Sequence, residues 1–132
     1  VFDAIDTVKL CLQVLTPMVD TMTVLTENMA NAARRGFINA TDLADYLTKR
    51  GRAFRSAHKT VGQIVAYCIE KGCVLDELSL DEYKKFDETF EADLYEEIAL
   101  VTCVEKRTSE GGASSVSVKA QVQALREILK EI

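Results

Sequence analysis

Residues 41–62, TDLADYLTKRGRAFRSAHKTVG, constrain the fold more tightly than any other stretch of the chain. They encode a helix, an enforced stop and the start of a second helix. Leu43, Ala44, Tyr46 and Leu47 supply the apolar face of the first helix, which follows a segment rich in capping side chains, Asn39-Ala40-Thr41-Asp42. Its last turn carries Lys49 and Arg50, cations that suit the negative end of a helix dipole. Gly51 then offers the left-handed conformation that closes a helix at little steric cost. A second helix is expected from about Phe54 to Lys71, with Ala57, Val61, Ile64, Val65, Cys68 and Ile69 inward and Gly72 past its end. So few residues join the two that they must pack as a helix-turn-helix pair.

The remaining pattern is also helical. Ile5, Val8, Leu12, Leu15, Val19 and Met22 recur at helical spacing, which predicts a helix of about 22 residues with one continuous apolar stripe. Cys11, Val14 and Met18 widen the stripe, so this helix requires partners on more than one side, as in a bundle. Pro17 lies inside it and predicts a bend. Thr26 is placed to cap a short helix from Glu27 to about Arg34. Ser79-Leu80-Asp81-Glu82 reads as a capping box opening a helix through Phe86. A further short helix is expected over about Ala92 to Ile98. Residues 99–106 are ambiguous between helix and strand because Val101, Thr102 and Val104 are β-branched. A Gly-Gly-Ala-Ser-Ser loop follows at 111–115. A last helix runs to the end, with Val118, Val122, Leu125, Leu129 and Ile132 as its stripe. The fold class is therefore all-α: a long bundle-type helix followed by a small helical domain that contains the helix-turn-helix pair.

At 132 residues the chain is long enough to bury a sizeable core. The first apolar segment is interrupted by Asp3, Asp6, Lys9 and Asp20, so it falls short of the roughly 18 apolar residues that a membrane span requires. The chain opens at Val1 with no basic segment or cleavage site behind it. No signal peptide is expected, and the chain is expected to begin inside something larger. Cysteines 11, 68, 73 and 103 form no CxxC pair, and His58 is the single histidine, so a zinc site of the usual kind is not expected. Reduced thiols packed as small hydrophobes in a cytoplasmic protein are.

The net charge of −5 is unevenly distributed. Residues 34–59 carry seven basic and two acidic side chains, and residues 76–97 carry ten acidic and two basic ones. The basic run comprises Arg34, Arg35, Lys49, Arg50, Arg52, Arg55 and Lys59. It has few interleaved aromatics and no nucleic-acid motif, so nucleic acid is not the expected partner. Pairing with the acidic segment or with a neighbouring subunit is.

Few residues invite chemistry. His58 is a candidate general base. Next to it stand Lys59 and, nearby, Arg55, with no carboxylate to orient the ring, and a structural histidine bonding across the helix pair is the stronger reading. The pairs Asp87/Glu88 and Glu96/Glu97 are adjacent in sequence, which points their side chains in different directions. Gly111-Gly112 resembles an anion cradle only weakly, because no Lys-Ser/Thr pair completes a phosphate loop. Nothing here assembles a nucleophile, a base and oxyanion donors, so no catalytic, cofactor-binding or metal-binding residue is assigned.

Several ordered blocks resemble the argininosuccinate lyase family. They are Val1-Phe2-Asp3-Ala4-Ile5-Asp6-Thr7, Leu15-Thr16-Pro17-Met18 and Thr41-Asp42-Leu43-Ala44-Asp45-Tyr46-Leu47. Then come Arg50-Gly51, Phe54-Arg55-x-Ala57-His58-x-x-Val61-Gly62, Leu78-Ser79-Leu80 and Arg107-Thr108-Ser109-x-Gly111-Gly112. The family usually continues that last loop with Thr-Ala and often Pro, whereas this chain has Ala113-Ser114-Ser115. The resemblance implies residues 1–35 as the terminal part of a central helical-bundle domain and 36–132 as a carboxyl-terminal helical domain. It implies a cytoplasmic homotetramer assembled through bundle helices. The implied enzyme reversibly cleaves argininosuccinate to arginine and fumarate in arginine biosynthesis, without a metal or organic cofactor. The family's catalytic serine lies on a loop of the form G-S-S-x-M-P-x-K-x-N, and its catalytic histidines lie further upstream. That loop does not occur in this chain, so no catalytic residue is transferred. The piece is expected to be structural and inactive by itself, and to dimerise through residues 1–25. Two other readings stay open: a free-standing helical interaction module, and a lens-crystallin relative of the lyase.

Overall fold

The computed structural model describes residues 1–130. Every regular element among them is helical: α1 (Phe2–Asp20), α2 (Thr26–Arg35), α3 (Ala40–Lys49), α4 (Phe54–Lys71), a single 3-10 turn (Leu75–Glu77), α5 (Leu80–Phe86), α6 (Leu94–Glu97), α7 (Leu100–Glu105) and α8 (Ser115–Lys130). None of these helices is long and apolar enough to cross a membrane. The chain divides into two compact units, Val1–Asn31 and the remainder from Ala32.

In the first unit, α1 continues through Pro17 and ends three residues later at Asp20. Proline in the last turn removes one hydrogen bond close to where the ladder finishes anyway. Thr7, Thr16 and Thr21 donate their hydroxyls back to the carbonyls of Asp3, Leu12 and Pro17 at 2.9, 3.0 and 2.7 Å. None of the residues of α1 is buried. Thr26 is the first residue of α2 and not its cap.

The second unit is built on the α3–α4 pair. Leu43 and Leu47 of α3 face Ala57, Val61, Ile64 and Cys68 of α4, all fully or almost fully buried. Between them, α3 closes in a crossed pair of bonds: Gly51 N–H donates to Thr48 O at 3.0 Å and Arg52 N–H to Leu47 O at 3.1 Å. This closure requires positive φ at the glycine, and Gly51 has φ 92°. The later elements complete the core with Leu75, Leu78, Tyr83, Phe90, Leu94 and Ile98. Tyr83 lies 5.0 Å from Phe90, ring to ring, and donates its hydroxyl to Leu75 O at 2.9 Å. The Ser79–Glu82 capping box forms in both directions, with Ser79 N–H on Glu82 Oε2 at 3.0 Å and Glu82 N–H on Ser79 Oγ at 3.4 Å.

The structure revises some expectations and resolves another. Ile69 points outward at 64% exposure, because α4 buries one stripe only and Ile69 lies off it. Val65 is half-buried at the edge of the core. Residues 100–105 are helix, since a short helix lets Cys103 reach the interior while Val101 and Val104 face out. The stripe of α8 is exposed along Val118, Val122, Leu125 and Leu129. Ile132, expected to finish that stripe, lies outside the described residues.

Leu47→Ala should destabilise the chain by about 2 to 5 kcal/mol, from lost transfer energy and the cavity left behind. Chemical denaturation monitored by circular dichroism checks it. Gly51→Val should also destabilise, although nothing lies within 4 Å of the position its Cβ would take. The cost there is purely that of positive φ for a β-branched residue.

Candidate functional site

The two oppositely charged runs meet across the second unit. Arg34 pairs with Asp76 at 3.4 Å, Lys49 with Glu97 at 3.8 Å, and Arg52 with Asp87 at 2.8 Å. Arg50 lies over the Tyr46 ring at 4.3 Å and reaches Asp93 and Glu91 at 2.5 and 3.6 Å. Tyr46 donates its hydroxyl to Asp93 Oδ1 at 2.7 Å and accepts the Glu91 N–H at 3.1 Å. The Tyr46 and Arg50 hydrogen bonds hold the Asp93 carboxyl below its ordinary range. Burial pushes the Tyr46 phenol up, and its hydrogen bond to Asp93 adds to that. This cluster has the chemistry of a brace: each charge or hydroxyl is already engaged by another side chain of the same unit.

Two buried polar residues tie distant segments together. Asn39, 3% exposed, precedes α3, but its side chain does not cap the helix. Its amide donates instead to Ile98 O at 2.9 Å and to Asp76 Oδ1 at 3.4 Å. Asp42 accepts from Arg107 Nη2 through both carboxylate oxygens, each at 2.9 Å. That bond anchors the loop carrying Gly111 and Gly112. A Cβ at Gly112 would stand 2.2 Å from Arg107 O, so the loop requires glycine there for close approach. Its backbone donors are engaged internally, with Gly112 N–H on Ser109 O at 2.8 Å and Ser114 N–H on Arg107 O at 3.2 Å. The start of α8 is likewise satisfied: Ser114 Oγ accepts Ser117 N–H at 3.2 Å, and Glu105 accepts Ser115 N–H at 3.3 Å. Ser114 thus supplies the cap that the altered loop sequence had left open. A shallow depression of about 420 Å³ beside this loop is lined by Thr108, Glu110, Gly111, Val116, Ser117 and Ala120, among others, and gathers no acid–base pair.

The other sequence candidates are not brought together. His58 is exposed, tilted against Phe54 with ring centroids 6.1 Å apart. The expected bond across the helix pair is absent among the described residues, because His58 lies on the outer face of α4 beside the buried Ala57. Asp87 is bound by Arg52 and Thr89 while Glu88 is exposed. Glu97 pairs with Lys106 at 2.6 Å while Glu96 is exposed. Each acidic pair therefore splits into one bracing and one solvated member. Among the described residues, no three His, Cys, Asp or Glu side chains are grouped to hold a metal ion. The feature that sequence reasoning missed is the Asn39, Asp42 and Arg107 set; its only signal was a carboxylate on the inward face of α3.

The acidic braces make stability depend on pH. Lys71, then the Ser79 N–H and the Tyr67 hydroxyl, lower the Glu82 carboxyl from 4.5 to about 2. Burial opposes ionisation of Asp87, yet Arg52 and Thr89 outweigh it and hold that carboxyl below its usual value. Groups with lowered folded pKa stabilise fully above their unfolded pKa and lose that contribution as pH falls through the folded value. The melting temperature should therefore drop progressively as pH falls from about 4.5 towards about 2. In Glu82→Gln the chain should melt lower at pH 7 and show a smaller acid drop.

Comparison with known proteins places the second unit in a family. The family model described as "Argininosuccinate lyase C-terminal" matches residues 37–105. The chain is 50% identical over 123 residues to the argininosuccinate lyase of Acetivibrio thermocellus, covering 93% of this chain and 27% of the relative. It is 52% identical over 128 residues to that of Symbiobacterium thermophilum, covering 97% and 28%. To that of Pelotomaculum thermopropionicum it is 52% identical over 130 residues, covering 98% and 28%. The chain thus spans little more than a quarter of the length of these relatives. Half-identity across nearly the whole chain, together with the family-model match over residues 37–105, means that this chain belongs to the argininosuccinate lyase family and corresponds to its carboxyl-terminal region.

Proposed function

We propose that this chain serves as the carboxyl-terminal portion of an argininosuccinate lyase, a carbon–nitrogen lyase of arginine biosynthesis acting in the cytoplasm. The observation that carries this reading is the 50–52% identity to relatives named argininosuccinate lyase, confined to 27–28% of their length. In that reaction a base removes a proton next to a carboxylate of argininosuccinate. An acid then assists departure of the guanidinium nitrogen as the carbon–nitrogen bond breaks, leaving arginine and fumarate. The residues expected to do this, a serine on a G-S-S-x-M-P-x-K-x-N loop and upstream histidines, belong to segments that this sequence does not contain.

The role of this chain is then architectural. The unit from Ala32 is a self-braced body in which ion pairs such as Arg52–Asp87 and Arg107–Asp42 join segments distant in sequence, which suits support better than turnover. The first unit presents an apolar helix with no residue buried, which suits mating with other bundle helices. In the complete protein this mating builds a homotetramer. In the 132-residue chain the same stripe, Ile5 to Met22, joins two copies, since a symmetric dimer is the simplest way to cover it.

Purified chain supplied with argininosuccinate should release no fumarate above the uncatalysed rate, followed by ultraviolet absorbance. A few remaining members of a catalytic constellation give feeble activity at best. Turnover approaching that of a complete lyase would overturn the assignment of the chemistry to segments outside this sequence.

A further inference from the structure

We propose that Cys68 and Cys73 form a peroxide-responsive dithiol site, which closes into an intramolecular disulfide across the carboxyl-terminal cap of α4. The cap itself brings the two residues together. Gly72 takes φ 73°, Gly72 N–H donates to Ile69 O at 3.2 Å, and Cys73 N–H donates to Cys68 O at 3.0 Å. In a helix end closed by this crossed pair of bonds, the side chains of the first and sixth residues lie against each other. Here those two residues are both cysteine. A disulfide requires closely spaced backbones, and the 3.0 Å bond between the two residues provides that.

The two sulfurs differ in access. Cys68 is fully buried among the residues of the α4 face, whereas Cys73 is half-buried at the edge of the same core. Burial first, and then the neighbouring Cys73 sulfur, push the Cys68 thiol up to about 12. Cys73 is therefore the sulfur that meets an oxidant and Cys68 the one that resolves it. The other two cysteines do not compete: Cys11 is exposed in the first unit, and Cys103 is buried with its thiol 3.7 Å from Glu97 O.

The oxidant is hydrogen peroxide. The Cys73 thiolate attacks one peroxide oxygen; an S–O bond forms, the O–O bond breaks, and the departing hydroxide takes a proton to become water. Cys73 is oxidised by two electrons to the sulfenic acid, and the peroxide is reduced. The Cys68 sulfur then attacks the Cys73 sulfur; the S–S bond forms, the S–O bond breaks, and hydroxide leaves with the Cys68 proton as a second water. Two thiols and one peroxide become one disulfide and two waters. The bridge pins the end of α4 to the segment leading into the 3-10 turn, so fraying of that helix end becomes dependent on oxidation.

Lys71 lies between the two cysteines, so trypsin separates them and the bridge can be read directly. The chain carrying Cys11→Ser, which prevents bridging between copies, is treated with a slight excess of hydrogen peroxide. It is then quenched with catalase, alkylated in guanidinium and digested without reductant. The expected result is a linked pair of peptides, residues 60–71 and 72–84, lighter by two hydrogens and separated by dithiothreitol, with Cys103 alkylated as a free thiol. In Cys68→Ala the Cys73 sulfenic acid should persist and be captured by dimedone; in Cys73→Ser the Cys68 thiol should remain alkylatable. The main readout retains both cysteines, so it does not depend on how either variant folds. Oxidation of Cys73 to the sulfinic acid while Cys68 stays a free thiol, in a chain with unchanged circular dichroism, would overturn the proposal. So would linkage that appears only in denaturant.

Discussion

The reversal of the chain at Gly51 is the constraint on which the second unit depends. The Leu47 carbonyl accepts the Arg52 N–H only if the intervening glycine takes positive φ. With that closure made, α4 returns along α3, and Leu43 and Leu47 face Val61, Ile64 and Cys68. The 3-10 turn, α5 and α6 are laid against this pair. Leu75, Tyr83, Phe90, Leu94 and Ile98 have no apolar surface to join unless the reversal has already created one.

Charge reinforces what apolar burial begins. The basic residues around the reversal and the acidic residues of α5, α6 and their connections neutralise one another across the same seam. Exposed ion pairs are individually weak. The members that matter most are those withdrawn from solvent, Asp42 with 5% and Asp87 with 9% of the side chain exposed, because leaving either unpaired would strand a carboxylate. Bracing of this kind also bears on function. Arg50, Arg52, Arg107, Asp42, Asp87 and Asp93 are the residue types that bind carboxylate or guanidinium ligands, yet here they bind one another.

What could be read from the sequence was local. Gly51 and Gly72 marked helix ends because positive φ is written into the residue type, and Ser79 with Glu82 marked a helix start because both partners lie within one turn. The opposite-charge pairing of residues 34–59 with 76–97 was visible as a compositional asymmetry, although not its individual partners. What escaped depended on contacts distant in sequence. Asn39 looked like a helix cap and instead bonds Ile98, 59 residues away. Asp42 stood in the same capping segment and instead holds Arg107, 65 residues away. His58 was expected to bond across the helix pair, but a histidine next to an inward alanine on α4 falls on the outer face. Residues 99–106 were undecided because Val101, Thr102 and Val104 are β-branched in a stretch too short to display a helical period, and the burial of Cys103 with Val101 and Val104 exposed resolves them.

We infer that this chain contributes a braced support and a mating helix, with the chemistry held by other segments of a lyase. Burying apolar surface contributes roughly 25 cal/mol per Å² removed from water, and α1 carries Ile5, Val8, Leu12, Leu15 and Val19 on one stripe with none of them buried. Sedimentation equilibrium of the purified chain, alongside a variant carrying Leu12→Glu and Val19→Glu, measures the consequence most directly. The chain should sediment as a dimer and the variant as a folded monomer. A chain that stays monomeric at high concentration while α1 remains helical would contradict it.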